Sequence, residues 1–205
     1  TGKFKMLAAD NAFYVAVVVQ DATPNNDATA IPNSYERDCT ELFFAMDTVT
    51  GETGAYKTGC WQLRCQREGE SLIDGNSGPN TWGFASMTSN PLWQVGVETS
   101  ATEWTAEFVI PFDGLITDNA AGVMDPAWDG KFVRFDIALA DNTTGAASGR
   151  TEQRYWYGRN GAADDHGWDN TKALAICKLP VVDGVTSLNT VKASAFVSNN
   201  VLNVN

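Results

Sequence analysis

Short runs of β-branched and aromatic residues alternate with clusters of turn-forming residues along most of this chain. The clearest run, FYVAVVVQ at residues 13–20, lies between an Asp-Asn turn and Asp21. Similar runs occur at residues 42–46, 61–64, 94–98, 104–110, 132–139, 154–157 and 173–179. Many short strands with almost no helical periodicity are typical of an antiparallel β-sandwich. We therefore predict an all-β, antiparallel β-sandwich of immunoglobulin-like or jelly-roll-like type, with one helical turn at residues 112–116.

The character of the sequence changes after Pro180. Residues 181–205 lose their aromatic side chains apart from Phe196 and become rich in Val, Ser and Asn. We predict that residues 1–180 form the sandwich and that a hairpin turns around Asn199 and Asn200. Residues 181–205 resemble the beginning of the C-terminal sorting domains used in type IX secretion, and an ordinary linker is the alternative.

Acidic residues dominate the charge of the chain. Its 205 residues include 25 acidic and 14 basic side chains, which gives a net charge of −11. This charge disfavours nucleic acid and anionic membranes as partners. No apolar run approaches the roughly 18 residues that a membrane-spanning helix needs.

The chain has four cysteines, which permit three pairings: Cys39, Cys60, Cys65 and Cys177. A hairpin centred near Glu52 would place Cys39 opposite Cys65 and leave Cys60 for Cys177. Cys60 and Cys65 have opposite strand parity, so they are unable to bridge each other. We predict the disulfides Cys39–Cys65 and Cys60–Cys177, with a secreted or cell-surface location. The alternative is four buried free thiols in a reducing compartment.

Five polar and aromatic residues stand at the edges or ends of predicted strands: Asp21, Tyr35, Glu41, Arg64 and Trp168. An aromatic ring covers the C–H face of a pyranose, and charged groups form hydrogen bonds with its hydroxyls. The set therefore predicts a small-sugar pocket, with secondary sugar contacts at Asp165, Asn170 and Trp156. Two alternatives stay open. Glu41 and Arg64 would equally form a cross-strand ion pair on a solvated face, and Asp21 would equally cap a turn or bind calcium.

Three segments together resemble carbohydrate-binding modules of family 9, within the DOMON-like sandwich group. They are residues 12–47, which include YERDCTE at 35–41, then WTAEFVIPF at 104–112 and VRFDIALAD at 133–141. Counting the later Trp168 and the last strand, the resemblance covers roughly residues 4–179.

The resemblance implies a role for each member of the five-residue set. In the family, two aromatic rings sandwich a terminal sugar while charged groups hold its hydroxyls. Tyr35 matches the first ring, where the family pattern has Trp, and Trp168 matches the second. The family's charged positions match Asp21, Glu41 and Arg64. The resemblance implies noncatalytic binding of a mono-, di- or polysaccharide, such as the ends of glucans or xylans. It further implies an accessory module of a secreted glycan-degrading protein.

Three other functions are alternatives to sugar binding. A glycosidase would use Glu41 and Asp21 as acid and base, but an arginine beside them would keep both ionised. A structural or adhesive surface module would carry a degenerate pocket. A haem-binding DOMON-like domain would use methionine with histidine or lysine, and the candidates are Met6, Met46, Met87, Met124 and His166.

The acidic loops predict a structural calcium site, because carboxylate and amide oxygens are suitable ligands for this ion. The candidate ligands are Asp10, Asn11, Asp125, Asp129, Asp141 and Asn142. No EF-hand spacing is present. Zinc does not fit, since the cysteine spacings are wrong and the only histidine, His166, lies in a Gly-rich loop. No organic cofactor is predicted.

Overall fold

The computed structural model describes residues 1–9, 12–45, 60–69, 71–73, 91–111, 132–158, 167–178, 195–198 and 201–204. The strands in these ranges are β1 Gly2–Ala9, β2 Ala12–Gln20, β3 Cys39–Ala45, β4 Cys60–Gln66, β5 Ser71–Ile73, β6 Gln94–Thr99, β7 Glu103–Pro111, β8 Phe132–Asp141, β9 Glu152–Tyr155, β10 Ala175–Lys178, β11 Ala195–Ser198 and β12 Val201–Val204. Short 3-10 helices cover Ser34–Glu36 and Thr171–Ala173. The predicted helical turn at residues 112–116 lies outside the described residues. Among the described residues, no helix is long and apolar enough to cross a membrane.

The strands form two sheets. The four-stranded sheet has the order β1-β2-β7-β6, and the larger sheet has the order β11-β12-β10-β8-β3-β4-β5 with β9 paired to β8. Neighbouring strands are antiparallel except β10 and β12, which are parallel. The predicted antiparallel sandwich is therefore confirmed. The predicted C-terminal hairpin is also confirmed, since β11 and β12 pair antiparallel.

The core lies between the sheets because alternate residues of each strand point inward. In β2 the inward set is Phe13, Val15, Val17 and Val19, and in β7 it is Trp104, Ala106, Phe108 and Ile110. The larger sheet contributes Leu42, Phe44, Trp61, Leu63, Phe135 and others to the same cluster. Met6 is also buried there, and the other haem-ligand candidates lie outside the described residues.

The outer face of the larger sheet carries a second buried cluster. It consists of Phe43, Ala45, Cys60, Ala138, Tyr155 and Leu174. The first five are strand residues of opposite parity to the core set, and Leu174 follows the second 3-10 helix. This part of the outer face is therefore covered.

The two predicted disulfides are wrong, because all four cysteines are buried free thiols. Cys39 lies opposite Gln66 and Cys65 lies opposite Thr40, one residue away from the predicted register. A one-residue shift moves side chains to the other face, so Cys39 and Cys65 lie on different faces of the sheet. Cys60 and Cys177 belong to β4 and β10, which are separated by β3 and β8. Three strand spacings amount to roughly 14 Å, beyond the reach of a disulfide.

Candidate functional site

The outer face of the larger sheet brings two of the predicted sugar contacts, Glu41 and Arg64, together. Glu41 of β3 lies directly opposite Arg64 of β4. On its other side Glu41 pairs with Ala138 of β8, and Ala138 pairs with Tyr155 of β9. Their neighbours along the strands point into the core, so these four residues form one row on the outer face.

Glu41 and Arg64 form a buried ion pair. Glu41 Oε1 accepts hydrogen bonds from Arg64 Nε at 2.9 Å and from Nη2 at 2.6 Å. Gln62 Nε2 donates to the same oxygen at 3.0 Å. Glu41 is only 2% exposed and Arg64 only 3%. The alternative of an ion pair on a solvated face is therefore only half right. Glu41 and Arg64 do form an ion pair, but the pair is buried and not solvated.

Gln153 completes the polar group, and the sequence did not single it out. Its Nε2 donates to Glu41 Oε2 at 2.8 Å and to the Tyr155 hydroxyl at 3.2 Å. Its Oε1 is buried and has no hydrogen-bond partner among the described residues. We call Glu41, Gln62, Arg64 and Gln153 the Glu41 cluster. The predicted strand begins at residue 154, whereas β9 begins at Glu152. The alternation of Gln153 with Tyr155 is the one sequence signal that places Gln153 on the same face as Tyr155.

Tyr35 lies beside the Glu41 cluster on the 3-10 helix Ser34–Glu36. Its ring is 41% exposed, and the Arg64 guanidinium carbon stands over it at 5.6 Å from the ring centre. Arg64 Nη1 also donates to Ser34 Oγ at 2.8 Å. The same arginine thus connects the aromatic ring to the buried carboxylate.

Trp168 follows a glycine that packs directly on Tyr155. A Cβ atom on Gly167 would lie 2.6 Å from Tyr155 Cε1, so the turn at residues 167–169 rests against that ring. The Trp168 side chain is 41% exposed. Tyr155 belongs to the row of Glu41 and Arg64, and the structure therefore places Trp168 next to this row.

The predicted secondary contacts have other roles or lie outside the described residues. Asn170 Oδ1 accepts from the Lys172 amide at 3.0 Å and caps the 3-10 helix Thr171–Ala173. Trp156 packs inward against Phe4, with ring centres 5.3 Å apart, because it alternates with Tyr155. Trp156 therefore faces away from the Glu41 cluster. Asp165 is not among the described residues.

Asp21 is not brought to the Glu41 cluster, so this part of the predicted set is corrected. It follows β2 of the four-stranded sheet, where its Oδ1 accepts from the Thr23 amide at 2.8 Å. Its Oδ2 lies 3.5 Å from Arg67 Nε. The alternative that Asp21 caps a turn is the one that the structure supports.

Asp21 instead belongs to an acidic group with Asp38 and Asp141. Burial raises the pKa of Asp38 to about 7, and the charges of Asp21 and Asp141 act in the same direction. Amide donors from Asn142 and Asn25 oppose this effect on the pKa. Burial is also the main cause of the raised pKa of Asp141.

The described calcium candidates fit a metal only in part. Asp141 Oδ1 is buried without a hydrogen-bond partner among the described residues. The Asn142 side chain is fully engaged: Oδ1 accepts from the Gly145 amide at 2.9 Å, and Nδ2 donates to Glu36 O at 2.8 Å. In the described ranges, no group of three or more His, Cys, Asp or Glu side chains is arranged to hold a metal ion. The other candidates, Asp10, Asn11, Asp125 and Asp129, lie outside those ranges, and calcium stays a prediction.

Comparison with known proteins agrees with this architecture. A family model described as carbohydrate family 9 binding domain-like matches residues 1–181. A similar solved structure is a family 9 carbohydrate-binding module from Caldicellulosiruptor kristjanssonii in complex with cellotriose. The TM-score is 0.62 at 16% identity, covering 92% of this chain and 80% of that one. A module from the same organism in complex with glucose also matches, with a TM-score of 0.62, 17% identity and coverage of 91% and 80%. At these low identities, the TM-scores show a shared fold. No curated protein matches the chain.

Proposed function

Because this chain belongs to the carbohydrate family 9 binding domain-like family, whose members bind carbohydrate without catalysis, we propose that it holds a terminal sugar over the Glu41 cluster. Tyr35 and Trp168 would form the aromatic walls, and Arg64 and Gln153 would contact the hydroxyls. The observation that carries this proposal is a buried, hydrogen-bonded ion pair whose arginine stands over the exposed Tyr35 ring. The exposed Trp168 follows Gly167, which packs on Tyr155 of the same row.

The floor of this site offers both a donor and an acceptor to a sugar. Arg64 is held by Glu41 and Ser34, so its planar N–H groups are fixed in direction. Gln153 Oε1 is a buried acceptor without a partner among the described residues, and a sugar hydroxyl supplies the missing donor. Glu41 Oε1 already accepts from two side chains. We therefore assign Glu41 mainly the task of fixing Arg64 and Gln153.

Binding is expected to be weak and reversible. A disaccharide has about 23 heavy atoms, and at about −0.3 kcal/mol per atom the limiting free energy is near −7 kcal/mol. This corresponds to a dissociation constant on the order of 10 µM.

The geometry does not suit glycoside hydrolysis. Two carboxyl groups must flank the scissile bond in that reaction. In the described part of the chain, the Glu41 cluster has one carboxylate, and it is ion-paired with Arg64. Asp21, which would be the second catalytic carboxylate of a glycosidase, follows a strand of the other sheet. These features agree with the noncatalytic character of the family.

The family resemblance supports chain ends of glucans or xylans as the ligand. The similar modules are in complex with cellotriose and glucose, which supports glucose-based chains. The family resemblance supports a role as an accessory module of a secreted glycan-degrading protein.

Calorimetric titration with glucose, cellobiose and xylobiose tests this proposal. We expect binding of at least one of these sugars by the native chain, and at least about a tenfold loss in Trp168→Ala, because a stacking wall is removed. Leu92→Ala is the matched control, since Leu92 is a similarly exposed apolar side chain on a different part of the surface. Equal affinity of Trp168→Ala and the native chain would show that the site is wrongly placed.

A further inference from the structure

We propose that Gln66 and Arg37 are positioning residues that hold the Tyr35 wall at the correct distance from the Glu41 cluster. This inference rests on the proposed sugar-binding function and assigns a new role to two residues that do not touch the sugar. The observation behind it is a buried hydrogen-bond clamp between β4 and the segment that carries Tyr35.

The Tyr35 segment has little apolar anchorage of its own. In the connection between β2 and β3, the described secondary structure is the 3-10 helix Ser34–Glu36, which has no buried residue. Pro32, Asn33 and Tyr35 are all exposed. Ile31 is the buried apolar residue just before them. The position of the ring therefore depends mainly on hydrogen bonds, to β4 on one side and, through Glu36, to Asn142 and Arg150 on the other.

Gln66 makes two of the hydrogen bonds that connect this segment to β4, beside the one from Arg64 to Ser34 Oγ. Its Nε2 donates to Ser34 O at 2.9 Å. Its Oε1 accepts from Arg37 Nη1 at 2.7 Å. Gln66 is 1% exposed, so neither bond is replaced by water when it is lost. The side-chain amide of Gln66 thus bonds the first residue of the 3-10 helix, Ser34, and the residue that follows the helix, Arg37.

Arg37 extends the clamp to the residues before Tyr35. Its Nε donates to Ile31 O at 2.7 Å, and its Nη2 donates to Pro32 O at 3.1 Å. Arg37 is 6% exposed. Its guanidinium therefore closes the segment into a loop, and Gln66 fastens that loop to the sheet.

The clamp and the binding floor share one strand. Arg64 and Gln66 are two residues apart on β4, so both side chains lie on the outer face. Arg64 bonds Ser34 Oγ while Gln66 bonds Ser34 O. Any displacement of the segment away from Gln66 therefore also moves Tyr35 away from the guanidinium that its ring covers.

A glutamine is required here because the site needs one donor and one acceptor. Gln66→Met keeps the side-chain length and removes both bonds. Gln66→Glu keeps an acceptor for Arg37 but loses the donor to Ser34 O. We expect Gln66→Met to be the more damaging of the two, and the milder Glu variant keeps the test usable if the Met variant folds poorly.

The test is a double-mutant cycle with Tyr35→Ala, followed by titration with cellobiose. We expect Gln66→Met to weaken binding about tenfold, which is about 1.4 kcal/mol. In the Tyr35→Ala background the same substitution should weaken binding less than about twofold, because Gln66 acts through Tyr35. Thr40→Val is the control for general destabilisation. This variant loses the buried hydrogen bond from Thr40 Oγ1 to Ala138 O. Thr40 points to the core face of the sheet, whereas Gln66 and Arg64 lie on the outer face.

Hydrogen exchange without sugar separates the clamp from the binding function. The amides of Glu36 and Arg37 donate to Asn33 O and Ser34 O. They should exchange faster in Gln66→Met and unchanged in Thr40→Val. Faster exchange with equal loss of binding in both Tyr35 backgrounds would overturn the proposal, as would unchanged exchange. A native chain that binds none of the three sugars would overturn the proposed function, while the exchange data would still decide whether Gln66 holds Tyr35.

Discussion

Gly167 lies against the ring of Tyr155 so closely that a Cβ atom at this position would stand 2.6 Å from Cε1 and 3.3 Å from Cζ. The backbone of Gly167 does not adopt a positive φ, so glycine is needed here for space and not for conformation. Tyr155 itself is fixed by Phe43, whose ring centre is 5.8 Å away. The contact therefore sets where the turn with Trp168 stands relative to the sheet.

Gly167→Ala is expected to weaken sugar binding several-fold by pushing Trp168 away from the Glu41 cluster. The methyl group meets a ring that is packed in a buried cluster, so the turn has to shift. Gly96→Ala is the matched control, because a Cβ there meets nothing within 4 Å. Titration with cellobiose measures both variants. Equal affinity in Gly167→Ala and Gly96→Ala would contradict the role of this contact.

Glu41→Gln is expected to destabilise the fold strongly, because it leaves the Arg64 charge buried without a carboxylate. Breaking one partner of a buried ion pair typically costs about 3–5 kcal/mol. The double variant Glu41→Gln/Arg64→Met should be more stable than Glu41→Gln alone, although it should not bind sugar. Denaturant unfolding measures the free energies.

Glu152→Gln is the control for the loss of stability expected in Glu41→Gln. Glu152 pairs with Arg154, but both side chains are roughly half exposed, and such pairs contribute about 0–1 kcal/mol. If the two single variants lose similar stability, the Glu41–Arg64 pair is not buried in solution.

The fold was predictable because its signals are local. Alternating apolar residues in segments such as 13–20 and 104–110 indicated strands with one buried face, and β2 and β7 have that pattern. The register of β3 and β4 was not predictable from the chain, because it depends on the length and shape of the connection. A shift of one residue reversed the faces of Cys39 and Cys65 and removed the predicted disulfides.

The candidate site was predictable where neighbouring strands bring residues together, and not where distant strands meet. Glu41, Arg64 and Tyr35 come together through the β3–β4 hairpin and the segment before it. Gln153 reaches Glu41 only because β8 lies between β3 and β9, an order that no local pattern states. Asp21 was misplaced because its position after a valine-rich strand does not tell which sheet that strand joins.

The four cysteines are expected to behave as protected thiols. Burial raises the pKa of Cys65 and of Cys177 to about 12, and it also raises the pKa of Cys39. Only the thiolate reacts readily. We therefore expect no labelling by a thiol reagent in the native protein and full labelling after unfolding without reductant. Two thiols or fewer in the unfolded, unreduced protein would show that a disulfide forms.

Asp136 is expected to make the stability of the fold depend on pH. Its carboxylate accepts from the Tyr157 amide at 3.0 Å and the Gly158 amide at 2.7 Å. Burial nevertheless outweighs these bonds and raises its pKa from 3.8 to about 6. The folded protein thus keeps a proton that the unfolded chain releases. The stabilising contribution of this group is therefore fully present below pH 3.8 and is lost as the pH rises through about 6, by on the order of 3 kcal/mol.

Asp136→Asn removes this titration while keeping the size of the side chain. The measurement is the free energy of unfolding of both proteins between pH 4 and pH 7. Asp38, whose pKa is raised to about 7, titrates in both proteins, so its contribution cancels in their difference. We expect the stability of the native chain relative to Asp136→Asn to decline across this range by roughly 2.4 kcal/mol. A difference that stays constant with pH would contradict the raised pKa and mean that the amide donors of Tyr157, Gly158 and Ile137 outweigh burial.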